Sequence, residues 1–374
     1  MPLAKPDPSH KLLPHVQGLR ALAAFCVAFG HLQNDAAAHG LIAGHGLAAF
    51  GRFLPWEAGV DIFFVISGFV IVHATGPLFG TGAAGAWVFL RRRLARIVPL
   101  YWIMSAAFLA VLLLARSAIH GDIGGPAYII ASFLFIPWPR PDGLMQPAFG
   151  LGWTLNYEMF FYAVFTPCLF LRRNFAVAAA TGVIGLFVLL GSLLHPANPQ
   201  LAYWSNPLVL EFCGGMALAQ LRAANFRLPV AIRLLLLLLA LAILHAAATG
   251  APTHRVLSYG VPALLLVAGA SLTAAPTPLS PVSRLLVRLG DASYAMYLVH
   301  PFVMRFLSIL WRKFHAHPGG DATIYVVVGL IVAQLAALLI NSQLERRLNT
   351  LLRRRSGVVH ETVQMPGMRP DRLL

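Results

Sequence analysis

The apolar runs of this chain limit most tightly what it can fold into: YWIMSAAFLAVLLLA, AVAAATGVIGLFVLLGSLL, LLLLLLALAIL and TIYVVVGLIVAQLAALLI recur along it with little charge between them. A helix of roughly 20 apolar residues crosses about 30 Å of hydrocarbon. In lipid the backbone must satisfy its own polar groups, so such runs have to be helical. Of the 374 residues, 58% are hydrophobic and 11% charged, against about 25% charged in soluble domains. Mean hydropathy is +0.73. An all-α, polytopic transmembrane bundle is predicted, with about ten spans near 15–34, 59–76, 97–115, 153–171, 175–194, 203–221, 231–248, 256–274, 291–311 and 322–343. The proline-bracketed stretch 126–137 is too short to span and reads as re-entrant or interfacial.

The basic residues set the orientation. With the N-terminus in the cytoplasm, Lys5, Lys11, Arg20, Arg91 to Arg93, Arg96, Arg172, Arg173, Arg222, Arg227, Arg233, Arg284 and Arg288 fall at the inner face. Arg346, Arg347 and Arg353 to Arg355 follow in the tail, and this asymmetry obeys the positive-inside rule. Both termini are expected inside. The formal charge of +15 is then explained by helix ends meeting anionic lipid, with no nucleic acid partner. The expected organisation is a cytoplasmic segment 1–14, a membrane domain 15–345 and a basic, disordered tail 346–374, without a signal peptide. Cys26, Cys168 and Cys213 lie in predicted spans without paired spacing, so neither a disulfide framework nor a metal site is expected.

Several polar residues stand inside the apolar runs, where they are costly to hold. Arg20 and His31 share the first span. Eleven helical steps bring the chain back to within about 20° of its starting direction, so both project from one face, about 16 Å apart along the axis. The second span carries Asp61 near one end and Ser67 and Gly68 near its middle, where glycine admits a close helix or ligand. Arg93 and Arg96 share a face as the third span begins, placed to clamp phosphate, whereas Arg91 and Arg92 read as a stop-transfer cluster. Glu158 sits one turn into an aromatic helix start with Trp153 and Tyr157, and Glu211 reads as a packing partner. Tyr294, Tyr297 and His300 recur every three residues before Pro301, which clusters their polar tips on one face near a kink. Gly80–Gly85 fits GxGxxG, but no strand precedes it and it reads as a loop between helices. His31 and Asp35 fit HxxxD; as helical i,i+4 neighbours, Asp35 could orient His31.

Taken in order, HVQGLRALAAFCVAFGHL, GVDIFFVISGF, RRRLARIVPLYW, LGWTLNYEMFFY and DASYAMYLVHPF resemble the acyltransferase-3 family of integral membrane O-acyltransferases over nearly the whole chain. The family's R-x10-H pair falls on Arg20 and His31, and its RxxR element on Arg93 and Arg96. The TLNYEMFFY variant looks most like the branch that acylates bacterial exopolysaccharides. Gln17 is a departure, standing where many relatives carry Asp, so that a carboxylate near Arg20 is missing or supplied by Asp61. Many relatives also carry a fused extracytoplasmic domain; here the membrane domain is expected to act alone or to hand over to another protein.

The resemblance implies a multi-pass enzyme of the bacterial cytoplasmic (inner) membrane. It would transfer an acyl group, usually acetyl, from acetyl-CoA to a hydroxyl of a surface carbohydrate. Membrane lipids, the carbohydrate acceptor and polysaccharide biosynthesis or export proteins would be its partners. His31 would be the base or the acyl carrier, and Arg20 would neutralise donor phosphate or stabilise the oxyanion. Glu158 or Asp61 would orient His31. Arg93, Arg96, Ser67, Tyr297 and His300 would hold the donor, with Asp61, Trp153 and Tyr157 in support. A secondary transporter and a non-catalytic subunit of a polysaccharide export complex are the competing readings.

Overall fold

A computed structural model describes residues 13–41, 45–114, 124–250, 254–274, 280–314, 322–345 and 347. The expectations for 1–12 and, save Arg347, for the tail fall outside the described residues. Among these residues the chain forms α1 (Pro14–Ala38), α2 (His45–Phe53), α3 (Gly59–Ala74), α4 (Gly82–Leu114), α5 (Pro126–Phe133), α6 (Trp153–Cys168) and α7 (Arg173–Leu194). There follow α8 (Pro199–Trp204), α9 (Leu210–Ala223), α10 (Val230–Thr249), α11 (Val261–Ser271), α12 (Pro281–Asp291), α13 (Ser293–Phe314) and α14 (Ala322–Ile340). A π-turn, Val256–Gly260, leads into α11, and another, Asn341–Glu345, follows α14. No strand forms among the described residues; Pro139 and Met145 make an isolated antiparallel bridge.

Each of the ten apolar segments is helical, including the β-branched run GVDIFFVISGFVIV of α3, whose side chains would favour a strand in water. Six helices are long and apolar enough to cross a membrane: Trp56–Ala74, Gly82–Leu114, Arg173–Leu194, Val230–Thr249, Ser293–Lys313 and Ala322–Glu345. The helices covering the other four segments, α1, α6, α9 and α11, are shorter or richer in polar residues.

Three boundaries differ from the sequence reading. The third segment begins fifteen residues early, at Gly82, because the Ala, Leu and Arg residues that follow are strong helix formers with no proline before Pro99. The RxxR pair therefore lies on α4 itself, and the glycine-rich stretch is loop only as far as Thr81. The sixth segment is split into α8, a 3-10 turn at Pro207–Val209 and α9, since Pro207 cannot continue a helix. The ninth lies on α13, which begins at Ser293 after a break at Ala292 from the preceding helix α12. The stretch from Pro126 forms only the eight-residue α5, in keeping with its short length.

Helix α3 is central: 67% of its apolar window is buried, against 11% for α10, which turns its leucines outward. Small residues let the backbones close in, as in other membrane bundles. A side chain at Gly68 would collide with the Phe212 carbonyl, and one at Gly215 with the Val65 carbonyl, so α3 and α9 meet backbone to backbone. Gly59 brings α3 onto α1 at Ala23, and Gly290 brings α12 onto α1 at Gln17. This seam arranges α1, α3, α4, α6 and α13 around a common interior space.

Candidate active site

That space is a cavity of about 800 Å³, counting the space at its mouth. At one end stand Arg20 of α1 and Arg93 and Arg96 of α4; at the other, Val60, Phe63 and Phe64 of α3, Thr154 of α6 and Tyr297 of α13. Ser67, Glu158 and Tyr162 line the wall between them.

The arginine end is held by hydrogen bonds and charge. Arg20 donates Nη1 to Gln17 Oε1 at 2.8 Å, and Gln17 in turn donates Nε2 to Asp291 Oδ1 at 2.9 Å. Gln17 thus relays a carboxylate to Arg20 across 274 residues of sequence, and Asp61 has no part in it. Asp291, Glu345 and Glu158 all lie near enough to Arg20 to act electrostatically. The Arg93 guanidinium lies over the Phe89 ring at 5.7 Å. Arg96 is close enough to repel both other arginines. Three guanidiniums facing one space form a site for a polyanion, each able to give charge-assisted bonds. Arg91 and Arg92 do not line the cavity.

Glu158 accepts from the Tyr162 hydroxyl at 2.5 Å and from Ser67 Oγ at 3.3 Å, both on Oε1. It faces the arginines rather than His31. Tyr297 fixes the far end of the cavity: its hydroxyl meets Thr154 Oγ1 at 2.9 Å and donates to the Leu151 carbonyl at 2.9 Å. Tyr294 donates to the Ile97 carbonyl at 2.8 Å, tying α13 to α4.

His31 does not itself line the cavity; it is paired with His300, whose ring centroid lies 6.2 Å from that of Tyr297. Their rings stack with centroids 5.1 Å apart, and Nδ1 of His31 lies 2.8 Å from Nε2 of His300. Nδ1 of His300 lies 3.1 Å from the Met296 carbonyl. A carbonyl only accepts, so Nδ1 of His300 must carry the proton and its Nε2 must accept from Nδ1–H of His31. That chain leaves Nε2 of His31 as the basic nitrogen. The proline after His300 leaves the Tyr297 carbonyl without its helical partner, at the depth of the pair.

These contacts revise several expectations. His300 is 1% exposed and, like His31, does not line the cavity; its two ring nitrogens are engaged by Met296 and His31, so it is the partner of His31 and not a ligand for a donor. Neither Asp61 nor Glu158 orients His31. Asp35 does not do so either, because it accepts from Ser308 at 2.7 Å and from Tyr325. Asp61 is fully buried and takes two bonds from Arg255, Nε at 3.1 Å and Nη2 at 2.7 Å. Glu211 is buried next to it, against Gly260. Tyr157 stacks on Tyr203 at 4.1 Å and packs on Phe64, so it backs the wall without lining the cavity. Trp153 also stands outside the cavity, its ring 5.9 Å from the Arg255 guanidinium. Among the described residues no three His, Cys, Asp or Glu side chains gather as metal ligands would.

Sequence reasoning passed over Gln17 as a link, His300 as the partner of His31, and Arg255 altogether. For Arg255 the usable signal was Asp61 itself, a carboxylate in an apolar helix that needs a cation.

Residues 14–341 match the acyltransferase-3 family, described as an acyltransferase domain. The chain is similar to the exopolysaccharide production protein ExoZ of Rhizobium meliloti (strain 1021), 30% identical over 300 residues that cover 79% of this chain and 92% of ExoZ. Acyltransferase MdmB of Streptomyces mycarofaciens is 29% identical over 328 residues, 79% of each chain. YrhL of Bacillus subtilis (strain 168), provisionally named a peptidoglycan O-acetyltransferase, is 27% identical over 59% of this chain and 36% of its own length. No solved structure is a significant match.

Proposed function

Because this chain belongs to the acyltransferase-3 family and is thereby an acyltransferase of groups other than aminoacyl groups, we propose that it moves an acetyl group from acetyl-CoA to a hydroxyl of an exopolysaccharide or other surface carbohydrate. The naming of ExoZ for exopolysaccharide production supports the acceptor class. One observation carries the reading: a single cavity joins three arginines at one end to Tyr297 and Thr154 at the other, next to the His31–His300 pair.

In this reading all ten apolar helical segments span the bacterial cytoplasmic membrane, with both termini inside and the domain running from 15 to 345. The arginine end then opens to the cytoplasm, where acetyl-CoA is made, and the histidine end lies toward the outer face. Membrane lipids cover the outward leucines, and polysaccharide biosynthesis or export proteins are the partners on the acceptor side.

Arg20, Arg93 and Arg96 hold the donor's phosphates. Arg20 lies about 16 Å along α1 from His31, too far to meet an oxyanion there, so its work is done at the donor's polar handle. Glu158 limits the repulsion among the guanidiniums while the site is empty of donor. Ser67 and Tyr297 line the path of the pantetheine arm, which carries the thioester toward His31. Nε2 of His31 takes the proton of the acceptor hydroxyl as its oxygen attacks the thioester carbonyl carbon. The C–S bond breaks, and the departing thiolate receives the proton from the imidazolium. His300 holds the tautomer that leaves Nε2 basic.

The test is thiol release by the protein purified in lipid nanodiscs and given acetyl-CoA with a host surface glycan stripped of esters by mild base. The wild type is expected to release thiol and esterify the glycan, and an assembled His31→Ala variant to do neither. Turnover by His31→Ala at the wild-type rate would refute the mechanism. Uptake of a solute into proteoliposomes without any thiol release would favour a transporter instead.

A further inference from the structure

A second polar constellation stands at the histidine end, apart from the arginines. Glu57, in the 3-10 turn Trp56–Ala58 ahead of α3, accepts from the Tyr259 hydroxyl at 3.2 Å. It also lies close enough to act electrostatically on both His31 and Arg255. Arg255 is pinned from behind by its two bonds to Asp61, and its guanidinium lies 5.3 Å from the Tyr259 ring and 5.9 Å from the Trp153 ring. Its side chain is nevertheless 37% exposed. Phe64 packs edge-on against Trp153 and also lines the cavity, so the constellation adjoins the end of the cavity where Tyr297 and the histidine pair lie.

We propose that Glu57, Tyr259, Arg255 and Trp153 form the acceptor subsite, which binds a neutral, hydroxyl-rich sugar ring and presents one hydroxyl to His31. This rests on the acyltransfer reading above and names the place and the chemistry of its second substrate. The charge balance rules out a second donor site. Among the described residues the guanidinium here is already matched by Asp61, and Glu57 adds an exposed carboxylate, so a polyphosphate would meet net negative charge. A polyol meets what it needs: the exposed carboxylate of Glu57 that accepts from hydroxyls, a guanidinium with N–H groups still reaching solvent, and the partly exposed Trp153 ring beside it, while the buried Tyr259 holds Glu57 in place. The π-turn at Val256–Gly260 sets Arg255 and Tyr259 four residues apart, so that ring and cation come from one short segment. Glu57 then links that segment to the His31 end of α1. Donor and acceptor thus approach His31 from opposite directions, which keeps a free cytoplasmic sugar from intercepting the thioester.

The test uses the full-length protein in nanodiscs, acetyl-CoA and the de-esterified host glycan, with Tyr259→Phe and Glu57→Gln as variants. Both keep the Asp61–Arg255 pair. Each is expected to raise the KM for the glycan about tenfold, the scale of one lost hydrogen bond to a charged group, with the KM for acetyl-CoA unmoved. An unchanged glycan KM in both variants, or an equal rise in donor KM, overturns the proposal. Glycan binding in the absence of donor, followed by quenching of tryptophan fluorescence, separates this proposal from the catalytic reading beneath it. If the wild type binds the glycan but transfers nothing, the reaction assignment fails while weaker binding by Tyr259→Phe still supports the subsite. If wild type and variants bind equally, the subsite is wrong whatever the enzyme catalyses.

Discussion

Replacing His300 isolates what the histidine pair contributes. In the resting enzyme Nδ1–H of His31 donates to a neutral ring nitrogen 2.8 Å away. In the proposed mechanism His31 takes the acceptor's proton and becomes an imidazolium, so that the same bond becomes charge-assisted. A neutral bond contributes about 0.5–1.5 kcal/mol net and one to a charged group about 1.5–3. The bond therefore strengthens by about 1–2 kcal/mol on the way to the transition state, a factor of roughly 5 to 30 in kcat. His300→Leu should lose that factor with the acetyl-CoA KM unchanged, since His300 does not line the cavity. It should also lower thermal stability, because the Nδ1–H of His31 is left unpaired at a cost of about 1–3 kcal/mol. His300→Gln places an amide oxygen near the lost Nε2 and should recover most of the rate. Thiol release under saturating donor and glycan measures kcat directly. Wild-type kcat in His300→Leu, or failure of His300→Gln to exceed it, would show that the pair does not prepare the base.

Two further outcomes follow from the packing and charge. Arg93→Ala/Arg96→Ala should raise the acetyl-CoA KM at least about tenfold, two charge-assisted bonds being worth more than that, and leave the glycan KM unchanged; initial rates at varied donor check it. Gly68→Ala should destabilise the bundle by about 1–3 kcal/mol, because its methyl would meet the Phe212 carbonyl, whereas Gly185→Ala, with nothing within 4 Å, should cost little; thermal unfolding in detergent compares the two.

The helical segments were legible in the sequence because bilayer thickness and backbone satisfaction leave an apolar run few choices. The residues that line the cavity were largely legible too: Arg20, Ser67, Arg93, Arg96, Glu158 and Tyr297 were each conspicuous as polar groups in apolar surroundings. What periodicity cannot give is the identity of a partner on another helix. His31 finds His300 across 269 residues, Asp61 finds Arg255 across 194 and Gln17 finds Asp291 across 274. From sequence Asp61, Glu158 and Asp35 are all acids that could orient His31, but which helices adjoin is decided by glycine seams such as Gly68–Phe212 and Gly290–Gln17. Glu57 and Arg255 drew no notice for a different reason: outside an apolar run, a charge carries no local sign of strain.

Helix α1 runs unbroken from Pro14 to Ala38 and bears both Arg20 and His31. It is therefore a ruler as well as a wall. In the proposed mechanism the stretch from Arg20 to the His31 nitrogen is set by the covalent geometry of one helix, so a donor whose spacer is too short would leave its carbonyl stranded below the base. One residue inserted between the two marks would lengthen the scale by only about 1.5 Å yet swing the imidazole about 100° off its bearing. On that proposal, selection among thioesters would be a measurement of length, taken before any acyl group is examined.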